Sequence, residues 1–155
     1  MMNIAIAPLP TSFLDRVRQQ GIDDLGQPVK RLRAEGGEPC RDVLRRAEPG
    51  EELILASFSP FQQAGPYHEY GPVFVLANPA DDASSRDALP IPTNYLRENF
   101  VLRAYRQDES IRDAALVTRE SSQETLERFL ADPETAFVHA RFPVYGCFAL
   151  RVDRA

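Results

Sequence analysis

The sequence has no tryptophan, two cysteines, two histidines, two methionines and no surplus of basic residues. Each scarcity removes a class of function. Zinc sites take three or four ligands from Cys, His and carboxylates, usually with close pairs in sequence; Cys40, Cys147, His68 and His139 supply no such pair, so no metal is expected. Neither G-x-G-x-x-G nor G-x-x-x-x-G-K-[ST] occurs, and the Gly36-Gly37 pair does not sit between a buried strand and a helix, so no cofactor is expected either. Nucleic-acid binders gather Lys and Arg on one face or in one run. Here 18 basic residues are spread among 23 acidic ones, which sets nucleic acid aside.

No apolar run approaches the roughly 20 residues that span a bilayer, so no membrane partner is expected. The opening MMNIAIAPLP is too short for a signal-peptide core, lacks a basic residue before it and contains Pro8; it reads as a strand. With no export signal and two distant cysteines, reduced thiols and a cytoplasmic location follow.

What remains is ordinary globular material: 155 residues, 43% hydrophobic and 26% charged, with a net charge of -5. A chain this long buries about 70% of its unfolded surface as one domain. No repeat, linker or low-complexity tract divides it, so residues 1–155 are read as a single α+β domain. That domain is a mostly antiparallel sheet of five to seven strands, with two or three helices on one face.

Ser12 and Asp15 resemble a helix start, with Leu14 and Val17 facing inward and Gly21 as a stop. Residues 29–33 suit an edge strand, since Lys30, Arg31 and Arg33 leave little to bury. EPCRDVLRRAEPG reads as a helix: Pro39 fits its first position, Pro49-Gly50 ends it, and Cys40, Val43, Leu44 and Ala47 form one stripe. Residues 53–56 and 73–77 are short apolar runs expected as buried central strands. The 78–94 connection is polar and proline-broken, residues 101–105 and 111–117 read as strands, and SSQETLERFLADP carries a Ser121/Glu124 capping box with Leu126, Phe129 and Leu130 as its buried stripe.

The last two strands, AFVHARF and CFALRV, alternate around PVYG. An odd-length loop, with Gly146 at positive φ, places Val138, Ala140, Phe142, Phe148, Leu150 and Val152 on one apolar face. The other face then carries Phe137, His139, Arg141, Cys147, Ala149 and Arg151.

Chemistry-bearing residues concentrate in two places. SFSPFQQAGPYHEYGP crowds Tyr67, His68, Glu69 and Tyr70 into the connection between the central strands. Loops on a rigid support are where binding groups are presented, although aromatic loop residues also serve as core rims. Extended-chain phasing puts His68 with Tyr70 and Tyr67 with Glu69. The hairpin face adds His139, Arg141 and Arg151, a positive strip suited to a carboxylate or phosphate, or else a solvated face paired with acids. Cys147 shares that face, which would allow a thiolate–imidazole pair. Cys40 beside Arg41 at a helix start would have a lowered pKa, but its place on the apolar stripe argues for packing.

The motifs CRDVL, GEELILASFSPF, GPYHEYGPVFV, LRAY and FVHARFPVYGCFALRVDR, in this order, resemble the uncharacterised bacterial domain-of-unknown-function family 1203. The resemblance implies no activity. Three readings stand side by side: a binder of a small anionic molecule through Tyr67, His68, Glu69, Tyr70, His139, Arg141 and Cys147; a hydrolase- or transferase-type enzyme with His68 or His139 as general base; and a homodimeric interaction module using its exposed aromatics.

Overall fold

The computed structural model describes residues 3–79 and 93–155, so most of the connection read at 78–94 lies outside the described residues. Among the described residues ten strands divide between two sheets of five. The first sheet runs β1 (Ile4–Ala7), β10 (Phe148–Arg154), β9 (Phe137–Arg141), β7 (Asn99–Tyr105), β8 (Ile111–Thr118), antiparallel throughout. The second runs β2 (Lys30–Arg33), β5 (Glu52–Phe58), β6 (Gly71–Leu76), β3 (Pro39–Cys40), β4 (Arg45–Arg46), with one parallel contact between β3 and β6. The α+β class and the antiparallel bias hold. One sheet of five to seven strands becomes two.

The charged strand β2 lies at an edge and the apolar β5–β6 pair at the centre, as their side chains require. Helix α1 (Thr11–Asp15) runs into a π-helical turn (Arg16–Gln20) that Gly21 ends at φ 69°. Phe13 and Val17 are its buried residues, while Leu14 is only half-buried. Helix α2 (Thr93–Leu96) is a single turn, and α3 (Ser122–Ala131) buries Leu126, Phe129 and Leu130. The Ser121 capping box does not form. Ser121 is already helical (φ -86°, ψ -9°), and its hydroxyl instead accepts the Thr118 N–H at 2.9 Å, because the helix leaves β8 through a tight turn.

The segment read as a helix from EPCRDVLRRAEPG is a small hairpin, β3–β4, pairing Pro39 with Arg46 and Cys40 with Arg45. The burial stripe survives, since Cys40, Val43, Leu44 and Ala47 are all core residues. The helix does not, because tertiary partners claim its backbone. The Arg41 N–H donates to Phe74 O, adding β3 to the edge of β6, and the Asp42 carboxylate accepts from the Leu76 N–H and from Arg18. Leu44 takes φ 54° at the turn.

The C-terminal hairpin departs from expectation in an instructive way. Phe142 and Cys147 close an even loop, 143–146, with Gly146 at φ 76°, and Arg141 faces Phe148. A bulge between Phe148 and Leu150 then restores the expected parity: Ala140 faces Leu150, His139 faces Arg151, and Val138 faces Val152. Beyond the bulge the faces are exchanged. Phe148 joins the core of the second sheet with Phe13, Phe58 and Val75, whereas Ala149 and Cys147 lie against the core of the first with Phe142 and Leu150.

Candidate functional site

The connection from β5 to β6 has little regular structure of its own, and carboxylates hold it in place. Asp24 accepts the Ser59 N–H at 2.8 Å. The buried carboxylate of Glu109 accepts the N–H groups of Gln62 and Gln63, at 3.0 and 2.7 Å. Phe61 is thereby pinned into a cluster with Tyr105 and Phe137. His68 Nδ1 lies 2.8 Å from Gln63 O, and a carbonyl can only accept, so Nδ1 carries a proton; Nε2 lies 3.1 Å from the Ser59 hydroxyl, which also lies 3.3 Å from Phe61 O. The His68 ring meets Tyr70 edge-on at 5.3 Å, on the side that the extended phasing assigns. Tyr67 and Tyr70 are exposed.

Strand β9 is buried at every position, so His139 and Arg141 do not lie on a solvated face, while Cys147 and Arg151 of the same expected face are half-buried. His139, 0% exposed, lies against Tyr105, Phe137, Phe148 and Phe61, with ring centroids 4.8, 5.0, 5.0 and 5.3 Å away. Burial above all, then the charges of Arg141, Arg151 and Arg103, hold its pKa well below the ordinary histidine range. Arg141 is also buried. Its guanidinium pairs with Glu69 and donates to Gly146 O at 3.1 Å, so it works as a strut between the 67–70 loop and the hairpin tip. Phe61 lies between the two histidines, 6.1 Å from His68 and 5.3 Å from His139. Cys147 is not set against His139: it is half-buried in the wall of a separate cleft.

That cleft, about 920 Å³, lies between the β3–β4 hairpin, the 96–99 turn and the 142–147 loop. Arg41, Arg46 and Arg97 all line it. Arg41 donates to Phe148 O at 2.9 Å and Pro39 O at 2.7 Å; Arg46 donates to Tyr95 O and Gly37 O, both at 2.9 Å. Both guanidiniums stand over the Phe142 ring, 5.1 and 5.2 Å from its centroid. Among the described residues no carboxylate pairs with any of the three. Burial, followed by the charge of Arg97, makes the Arg46 guanidinium less basic than usual. Three acids lie on the rim: Glu38 accepts the N–H groups of Glu35 and Gly36, Glu98 pairs with Arg119, and Glu35 adds a carboxylate that pairs with none of the three arginines.

Reading the CRDVLRR stretch as a helix hid this cluster, because helical spacing sends Arg41 and Arg46 to different sides. The Cys40 thiol, expected to be acidified at a helix start, is pushed up to about 12 by burial, with Asp42 adding to it. It is a packing residue.

No described helix is long and apolar enough to cross a membrane, and no group of three or more His, Cys, Asp or Glu gathers to hold a metal among the described residues. No curated protein and no solved structure matches the chain. A family model described as a protein of unknown function, DUF1203, matches residues 37–154, from the arginine hairpin through β9 and β10, and the chain belongs to that family.

Proposed function

We propose that this protein binds a small anionic molecule, bearing carboxylate or phosphate groups, in the cleft lined by Arg41, Arg46 and Arg97. The observation that carries this reading is a cluster of three guanidiniums, two of them held in place by carbonyl oxygens, that meets no carboxylate partner among the described residues, in a chain of net charge -5. Like charges brought together repel, and a bound anion relieves that cost while gaining charge-assisted hydrogen bonds. The carbonyl partners also pre-orient Arg41 and Arg46, which lowers the ordering cost of binding. In this reading the 67–70 loop and Arg141 act from behind. Glu69, Arg141 and Gly146 O tie that loop to the hairpin tip that carries Tyr145 and Cys147 to the cleft wall.

Calorimetric titration with inorganic phosphate and with malonate tests this. At least one should bind with an affinity that falls as salt rises. Ligand at 100 times its Kd should add about 2.7 kcal/mol of stability. Arg97→Ala, an exposed change that removes no observed structural bond, should weaken binding by about tenfold, or 1.4 kcal/mol. No heat and no thermal shift with either anion would overturn the reading.

A hydrolase-type reading rests on the Ser59–His68 pair. The serine oxygen would bond to an acyl carbon while its proton passes through His68 Nε2 to the departing alkoxide, and water would then release the acyl group. The adjacent N–H groups of Gln62 and Gln63, which could have steadied the oxyanion, are given to Glu109, so this reading is second. Labelling of wild type but not Ser59→Ala by a fluorophosphonate would raise it; no labelling would dismiss it.

A further inference from the structure

A second cavity, of about 310 Å³, shares only Arg41 with the arginine cleft. It lies between the turn after β1, the 59–62 segment and β10, and Leu9, Phe58, Phe61 and Phe148 form much of its wall. His139 belongs to that wall and is the group that the fold does not explain. Both of its ring nitrogens are buried, and neither meets a donor or acceptor among the described residues. An imidazole placed this way loses hydration at an N–H and at a lone pair with nothing returned. Native proteins contain few such groups, and each calls for a reason. Four aromatic neighbours would pack equally well around a hydrocarbon side chain, so packing does not supply one.

We propose that this cavity binds a small uncharged molecule with an apolar, ring-sized body and a hydroxyl group, and that His139 recognises the hydroxyl. A neutral imidazole offers one donor and one acceptor, and a hydroxyl is both in return. An apolar cavity of about 150 Å³ accepts benzene, so this larger one accommodates a substituted ring. Arg151, in the same wall, is neutralised by Asp153 at 2.9 Å, which removes one attraction for an anion. Because the ring of His139 is 0% exposed, the occupant must displace a neighbour to reach its nitrogens. Phe61 both lines the cavity and touches the ring, and since the Gln62 and Gln63 N–H bonds to Glu109 hold its backbone, its side chain is the part that must turn aside. This inference is independent of the arginine cleft.

The chain has two histidines, so a long-range 15N–1H spectrum shows two imidazoles, and a His68→Gln variant assigns them. Titration with p-cresol should move the His139 nitrogen resonances to saturation, and p-xylene, which carries methyl in place of hydroxyl, should bind at least tenfold more weakly. His139→Phe should lose the preference for p-cresol; should that variant not fold, the wild-type titration decides. Three results would overturn the proposal: no saturable change at His139, equal binding of the two probes, or tighter binding of benzoate than of p-cresol, which would assign the cavity to Arg41.

Discussion

An unfolded chain protonates its histidines as pH falls through about 6.5, while the buried ring of His139 stays neutral to lower pH. The unfolded state then holds more protons than the native state, so stability rises with pH across this window and is lost as pH falls below it. One proton's worth of difference gives a slope of at most about 1.4 kcal/mol per pH unit. Urea denaturation of wild type and His139→Phe between pH 5 and 7 checks this: the variant should lose that share of the slope, and equal slopes would contradict the assignment. The same substitution removes an unpaired polar group, so at neutral pH it should leave stability unchanged or raise it by about 1 kcal/mol. A stabilising change at the centre of a core is what a residue kept for binding predicts.

At the scale of elements, the bulge in β10 decides which residues meet. It withdraws two carbonyls from the ladder, and both are answered by side chains from elsewhere: Phe148 O accepts from Arg41, and Ala149 O accepts from the Tyr95 hydroxyl at 2.7 Å. Tyr95→Phe should therefore cost about 1–3 kcal/mol, because it leaves a buried acceptor unmet while keeping nearly all of the packing. Chemical denaturation measures this directly, and a cost below roughly 0.5 kcal/mol, the size of a surface change, would mean that the bulge does not depend on the tyrosine. Burial also pushes the Tyr95 hydroxyl's pKa upward, so it remains a donor at physiological pH.

For the molecule as a whole, the two sheets are joined by a shared core and by charged struts. Phe148 of the first sheet packs into the core of the second, Arg41 reaches from the second to Phe148 O, and Glu69 pairs across to Arg141. Such coupling predicts a single unfolding transition. Far-UV circular dichroism and tyrosine fluorescence should give coincident curves; two separated transitions would show that the sheets are independent.

The parts of this protein that were legible in its sequence depend on local periodicity. Apolar runs at 53–56 and 73–77 became the paired strands β5 and β6, the charged run at 29–33 became the edge strand β2, and Leu126, Phe129 and Leu130 became the buried stripe of α3. Burial at Cys40, Val43, Leu44 and Ala47 was legible too, although their backbone was not. A side chain's hydrophobicity states that it will be buried, whatever conformation buries it. The site was less legible. Tyr67, His68, Glu69, Tyr70, His139 and Arg141 could be named as chemistry-bearing, and His68 met Tyr70 as extended phasing implies. Their partners could not be named. Ser59 on His68, Glu69 on Arg141 and three arginines around one cleft are contacts between positions that no spacing rule connects.

Periodicity and composition by themselves determined the α+β class, most of the strands, and the residues withdrawn from water, because each depends on a side chain's own transfer energy and on the repeat of its local backbone. Tertiary structure alone decided that the arginine stretch is a hairpin, that a bulge turns Phe148 away from its strand neighbours, and that Arg41, Arg46 and Arg97 converge. Those outcomes depend on backbone hydrogen bonds and charges supplied by distant segments, whose energies exceed the roughly 1 kcal/mol or less per residue that local propensity contributes.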